Sequence, residues 1–600
     1  MRVIPGNRTW GQFMRKQVSS APKRSVFVAL ALAVALASVV AASVATTRAA
    51  ASPPQLTYQG TSTLGSAAGT TQITGVSPYE TRPSVQNSEH DIRSVPSKKR
   101  ASAAHGAPAP ELGLAGGGSG FEGISHLDQR SAGTGIFTNT QFSLEPPDQG
   151  LCVSGNRVLE TVNTALRVYK PGGKPLTAPV ALNQFLGLAP EVDRTGPVYG
   201  DFTSDPKCYH DSANGGHWFL TLLQLGVVPS SGAFDGTSKV YIAVSQTDDP
   251  VGVWNIFRFV TTNDGADCTG GCLGDQPLIG ADANGFYIST NSFPLGAAGF
   301  NGVELYAISK NFLETVSGPS GFTHLEIPTL EEGQAYSIQP ATAPNGRYET
   351  AANGTEYFLS ALDFNGTGDN RIAAWALTNT ASLNTVTPNL TLSEQTLSSE
   401  SYSAPPVARQ KDGVRPLGDL IPEPVNFLNS NDDRMNQVVF AGGRLWSGVN
   451  TAVTTGEGTH AGIAYFAVKP TIQGGGINAK IKRQGYIAAN KVDVMFPSIG
   501  VNDGGGAVAV FTASGPKMFP SVAYANLSAG GSVVVAGAGA GPADGFTGYT
   551  AFGGSGVERW GDYSAAVAAP DGSIWAAGEF TSANRTFLAN WGTFIIHVIP

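Results

Sequence analysis

The chain has 600 residues, of which 41% are hydrophobic and only 14% charged, with 75 Gly and 38 Pro; this fits a helical bundle poorly and suits short strands joined by tight turns. The net charge of −8 conceals six basic residues before position 46, Arg2, Arg8, Arg15, Lys16, Lys23 and Arg24, with no acid among them, so the remainder carries −14. An acidic body of that kind lacks the basic patch that phosphate-backbone binding requires, and nucleic acid is not expected as a partner.

Residues 1–50 read as a signal peptide or an N-terminal signal anchor. A basic stretch precedes the uncharged run from Val26 to Ala45, and small residues follow it. Cleavage is expected after Ala45 or within Ala49–Ala51; because the apolar run is long, an uncleaved anchor is the competing reading. Either way the positive flank stays inside and the body crosses, so the protein is expected to be secreted, or anchored with its body outside. The membrane is then met only through the N-terminal segment.

Residues 51–143 are rich in Ser, Ala, Thr, Gly and Pro, as in APAPELGLAGGGSG and PSKKRASAAHGAP, without apolar periodicity. Such a stretch buries too little apolar surface to offset its ordering entropy and is expected to be mostly disordered linker.

From residue 144 to residue 600 one pattern returns seven times: a short apolar strand, a turn with Gly and often Asn or Asp, then a strand rich in β-branched and aromatic residues. The instances span 151–170, 208–225, 278–293, 341–364, 437–453, 498–515 and 565–580. Asn-Gly, Asp-Gly and Gly-Gly between apolar runs are strong hairpin signals. Several instances are followed by a further extended pair, giving about four strands per unit, which predicts an all-β chain and a seven-bladed β-propeller over 144–600. Two β-sandwiches or a β-helix are the alternatives; the first needs a central linker and the second needs shorter, more even coils.

Four cysteines occur, Cys152, Cys208, Cys268 and Cys272. Outside the cell, disulfides are expected over zinc ligation, for which C-x₃-C with two distant cysteines lacks the spacing. Cys268 and Cys272 enclose a short glycine-containing loop suited to a clip. Cys152 and Cys208 stand four and three residues after Asp148 and Asp205, at the starts of consecutive units, where neighbouring innermost strands bring them together.

In a propeller the innermost strands line a central channel, and the residues just before them gather on one face. Here those residues are PPDQG, GDFTSDPK, GDQP, SIQP, DRMNQ, MFPS and RWGDYS. Asp148, Asp201, Asp205, Asp275, Gln339, Arg434, Asn436, Arg559, Asp562 and Tyr563 are therefore the candidates to share a funnel. Converging carboxylates suit a hard cation, with Ca²⁺ the candidate, or an acid and base pair for glycoside cleavage. The competing reading is turn capping, since Asp before a strand bonds backbone N–H groups two residues on. The acidic stretch from Asp363 to Asn370 reads as a hairpin tip, lacking the closing Glu of an EF-hand loop. No G-x-S-x-G, no H-E-x-x-H and no nucleotide-binding motif is present.

The hairpins GADANGFYIST and APDGSIWAAG, with RWGDYSAAV before the latter, resemble secreted bacterial β-propeller proteins of uncharacterised function with a sialidase-like architecture. The resemblance implies a fold. The Asp-box spacing of sialidases is not kept at Asp282 or Asp571, and of the arginine triad that clamps the substrate carboxylate only Arg434 and Arg559 have counterparts near the funnel. The expected function is that of an extracytoplasmic binding or scaffold module, monomeric, with a glycan or a cell-surface protein as partner. An extracellular glycan-active hydrolase or lyase using funnel carboxylates is the alternative.

Overall fold

The computed structural model describes residues 54–64, 80–81, 106–109, 112–116 and 119–600, apart from 197, 263–270, 296–298, 328–329, 331–332, 422, 457, 529 and 531. The expected signal segment, 1–50, and Cys268 lie outside the described residues. Among them no helix is long and apolar enough to cross a membrane.

The described chain is nearly all strand. Seven antiparallel meanders of four strands follow one another among the described residues, their first strands being Gly150–Ser154, Phe202–Asp211, Cys272–Ala281, Tyr336–Thr342, Val438–Ala441, Asp493–Val501 and Ala565–Ala568. These inner strands touch in cyclic order, and the seventh returns to the first. The fourth and fifth even pair directly, in parallel, through Ala341 with Val438 and Thr342 with Val439, which fuses their two meanders into one continuous sheet. Radial meanders around a closed ring make a β-propeller.

Apolar layers between successive meanders hold the ring. Val439, Trp446 and Ile463 of the fifth pack on Val494, Ile499 and Phe511 of the sixth. Val510 and Val522 of the sixth meet Ala576 and Ile596 of the seventh, and Trp575 and Ile595 of the seventh meet Leu151 and Val158 of the first. Strand alternation gives each sheet two apolar faces, so a blade has a core on both sides.

The seventh meander is completed from the other end of the sequence. Its strands Ala565–Ala568, Ile574–Thr581 and Trp591–Val598 gain Gly120–Ser125 as the outermost member, with Gly592 opposite Ser125 and Ile596 opposite Gly120. Glu160, in the second strand of the first meander, fastens this closure: its carboxylate accepts hydrogen bonds from the Ile124 N–H at 2.9 Å, the Tyr169 hydroxyl at 3.0 Å and the Thr593 hydroxyl. Glycine is required at Gly123, where a Cβ would overlap both Thr593 Oγ1 and the Glu160 carboxylate.

This closure amends the linker expectation for 51–143. Thr57–Thr63 adds an antiparallel fifth strand to the outer edge of the second meander. Leu114–Gly116 runs parallel to Val533–Gly537 at the edge of the sixth, and Ala107–Pro108 pairs with Arg444–Thr455 of the fifth. Glu80 makes a buried ion pair with Arg130 at 2.7 Å. Composition missed these contacts because edge pairing uses backbone groups, which carry no compositional signature; the added strands also cover open sheet edges.

One disulfide is described, Cys152–Cys208, with Cα atoms 5.6 Å apart; it staples the first inner strand to the second. The expected partner of Cys272 falls outside the described residues. Asp363 caps its own turn, accepting the Thr367 N–H at 2.9 Å and the Gly368 N–H at 2.5 Å, as a hairpin tip does.

Candidate functional site

The leading ends of the inner strands carry a repeated irregularity. In the second, third, fourth and sixth, the register slips at Asp205, Gln276, Ser337 and Phe496, each with positive φ between 45° and 59°. Asp148 takes the same conformation, φ 49°, just ahead of the first inner strand. A non-glycine residue held there costs on the order of 1–3 kcal/mol, and bulges re-aim the side chains that follow them. Lys207 and Gln339, two residues beyond their bulges, point into the central channel.

Three of the expected site residues come together here. Asp148, Asp205 and Asp562 each present a carboxylate oxygen within 4.8 Å of the other two, and they are 2%, 1% and 8% exposed. Asp148 Oδ1 accepts the Asp562 N–H at 2.8 Å, and its Oδ2 accepts the Asn163 amide at 2.8 Å. Asn163 Oδ1 in turn accepts the Asp205 N–H at 2.9 Å, and Asp562 Oδ1 accepts the Asn431 amide at 3.0 Å. The cluster thus ties the first, second and seventh meanders at the point where the ring closes. Burial and the charge of Asp562 raise the Asp148 carboxyl to about 7.

The cation of the cluster is Lys207. Burial pulls its ammonium well below the ordinary lysine range, while the charges of Asp205, Asp148 and Asp562 act the other way. It lies over the ring of Tyr563, whose hydroxyl donates to the Pro206 carbonyl at 3.3 Å. Tyr563 thus stands beside the cluster as a wall, its hydroxyl engaged by a backbone carbonyl. Three carboxylate oxygens at this spacing resemble part of a Ca²⁺ shell.

Arg434 and Arg559 stand around the cluster in different roles. Arg434 forms a two-pronged ion pair with Asp432, both contacts at 2.7 Å, and its Nη1 donates to Gln276 Oε1 at 2.7 Å, anchoring the third bulge. Arg559 is half-buried, and its charge lowers the proton affinity of both Asp148 and Glu145. Asp275 is buried in the third inner strand opposite Asn291, outside the three-carboxylate group. Asp201 accepts the N–H of Val227, at the end of the second strand of its meander, at 3.4 Å. Gln339 lines the channel and donates to the Met435 carbonyl at 2.9 Å, while Asn436 donates to the Arg434 carbonyl at 3.3 Å.

Lys207, Asn163 and Asn431 escaped the sequence reading. Lys207 was in principle findable: it stands two residues after Asp205, and alternation along a strand returns such a residue to the same face. Asn163 lies in a turn between the second and third strands of its meander, and nothing local marks it as a bridge.

No family model and no curated protein matches the chain. Among solved structures, it is similar to a protein of unknown function from Dyadobacter fermentans, 12% identical over 66% of this chain and 94% of that one, with a TM-score of 0.34. Trypanosoma rangeli sialidase is 9% identical, with 65% of this chain and 54% of that chain covered and a TM-score of 0.28. An α-L-arabinanase of Penicillium chrysogenum is 10% identical over 66% and 93%, with a TM-score of 0.25. The chain spans only about half the length of the sialidase.

Proposed function

We propose that the chain is an extracytoplasmic, seven-bladed β-propeller that acts as a monomeric binding module, taking a glycan or glycan-bearing surface protein over the funnel at the leading ends of its inner strands. The observation that carries this reading is the state of the central carboxylates. Asp148 has both oxygens occupied, Asp562 accepts from Asn431, and the backbone of Asp205 is fixed by its N–H bond to Asn163. A general acid and base must be free to reach a substrate proton, and Asp148 and Asp562 are committed to holding the blades. The recognition surface is then the half-buried ring above them, with Arg559, Asn431 and Asp432 as donors and acceptors for hydroxyl groups. The disulfide supports an oxidising compartment.

A second reading rests on Asp148. A carboxyl raised to about 7 with two others within 4.8 Å is suited to proton donation, and the separation approaches the ~5–5.5 Å of retaining glycosidases. The test is a glycan array with the wild-type protein, Arg559→Ala and Asn431→Ala. Selective binding that either substitution weakens at least about tenfold, worth ~1.4 kcal/mol, supports the funnel. Binding unchanged in both variants, or absent throughout, overturns it.

A further inference from the structure

The accessible cavity of the ring opens at the opposite face from the carboxylate cluster. Along the first, fifth and seventh inner strands the lining passes from a polar leading end to an apolar trailing one, Gln149 to Val153, Gln437 to Val439, Ser564 to Val567 and Ala568, while along the second and fourth it ends on His210 and Thr342. Ser212 and Pro570, which are exposed, and the half-buried Asn345 form the rim. The space amounts to about 60 Å³, several times the ~10–15 Å³ that seats one water.

Its inner end holds an amide with nothing to bond. Gln149 is 1% exposed, and neither its Nε2 nor its Oε1 has a hydrogen-bond partner. Its neighbours in the channel differ. Gln339 donates to a backbone carbonyl, and Gln437 donates to the Ala566 carbonyl at 2.8 Å while accepting from Ser498 at 2.7 Å. A buried polar group without a partner is costly and rare in folded proteins, so one facing a cavity points to what the cavity takes. The group offers one donor face and one acceptor face side by side.

We infer that this channel is a second binding site, for a slender neutral molecule ending in a primary carboxamide, whose carbonyl and NH₂ pair with Gln149 while its aliphatic tail lies against Leu151, Val153, Ile279 and Val439. Neutrality follows from the surroundings: Lys207 interacts with three carboxylates, the His210 ring is engaged by Asp248 at 2.7 Å, and the other polar lining groups are amides and hydroxyls. The tail has apolar walls toward the mouth and gains from each methylene that enters.

The probes are acetamide, propionamide, butyramide and hexanamide, titrated into the full protein and followed by calorimetry and by chemical-shift changes. Saturable binding is expected, tightening about three- to fourfold per added CH₂, which is ~0.8 kcal/mol each, with hexanol at least tenfold weaker than hexanamide. Gln149→Leu removes the polar end without losing volume and is expected to abolish the preference for amide over alcohol while melting no lower than the wild type. Val567→Phe, nearer the mouth, is expected to block the whole series while leaving glycan binding at the other face unchanged. Amides that do not saturate, so that the space holds water only, or that bind Gln149→Leu as tightly as the wild type, overturn the assignment. Because the probes are not glycans, this result is independent of the funnel reading.

Discussion

Replacing Lys207 with Met removes the ammonium that faces Asp148, Asp205 and Asp562 while keeping the length of the side chain against Tyr563. Deleting one member of a buried charge group leaves the others uncompensated and costs roughly 3–5 kcal/mol. Unfolding entropy of about 2.1 cal/mol/K per residue over the folded part amounts to roughly 1 kcal/mol per degree, so the melting temperature should fall by roughly 3–5 °C at pH 8. The loss should shrink as the pH is lowered. Without Lys207 the Asp148 carboxyl, already raised to about 7, titrates higher still, so at pH 5 it is protonated and one charge fewer is left uncompensated; the expected deficit there is smaller than at pH 8. Differential scanning calorimetry of both proteins at the two values measures this. An Lys207→Met protein that melts with the wild type at pH 8, or whose deficit is the same at pH 5, would refute the assignment of Lys207 as the cation of the cluster.

Other consequences follow from the same geometry. Asp148 has a folded-state carboxyl at about 7, raised above the unfolded value near 4, so its contribution to stability is fully present below pH 4 and is lost as pH rises through 7. Asp148→Asn should therefore flatten the decline in melting temperature over that window. Glu160, also raised to about 7 by burial, fastens the closing strand; Glu160→Ala leaves the Ile124 N–H and the Tyr169 hydroxyl without this acceptor, Thr593 keeping the Ile124 carbonyl, and should cost ~2–3 kcal/mol, read as a lower urea midpoint with an unchanged slope. The Cys152–Cys208 bridge closes a loop with a sequence separation of 56, for which chain entropy gives about 4 kcal/mol, so the double Ser variant should unfold at correspondingly lower denaturant. Gly123→Val should expose the outer edge of the seventh meander and speed proteolysis at the N-terminal side of residue 126.

The hairpins were legible because each needs a turn whose chemistry is local: Gly155, Gly442, Gly505 and Gly572 all take positive φ at the tips between first and second strands. The aspartates of the funnel were legible for a related reason, since residues just before an inner strand share one face by construction. The sequence could not separate Asp148, Asp205 and Asp562, which meet, from Asp275 and Asp201, which do not. All five precede or open strands, and the difference is set by which blades adjoin at the ring closure. The closing strand Gly120–Ser125 was hidden in a glycine-rich stretch because its partner, Trp591–Val598, lies at the far end of the chain, and a three- or four-residue ladder leaves no periodicity to detect. The bulges were equally silent: Asp205, Gln276, Ser337 and Phe496 share a conformation but no residue type, and it is the surrounding ladders that impose it.

The central claim, recognition without turnover, is tested most directly by incubating the glycan that the array selects with the wild-type protein at pH 6 to 8 and searching for products by mass spectrometry over days. The account predicts an intact glycan at every pH, recovered in full from the complex. Cleavage products that accumulate with the wild type and vanish with Asp148→Asn would contradict it, and would make the raised Asp148 carboxyl the acid of a hydrolase.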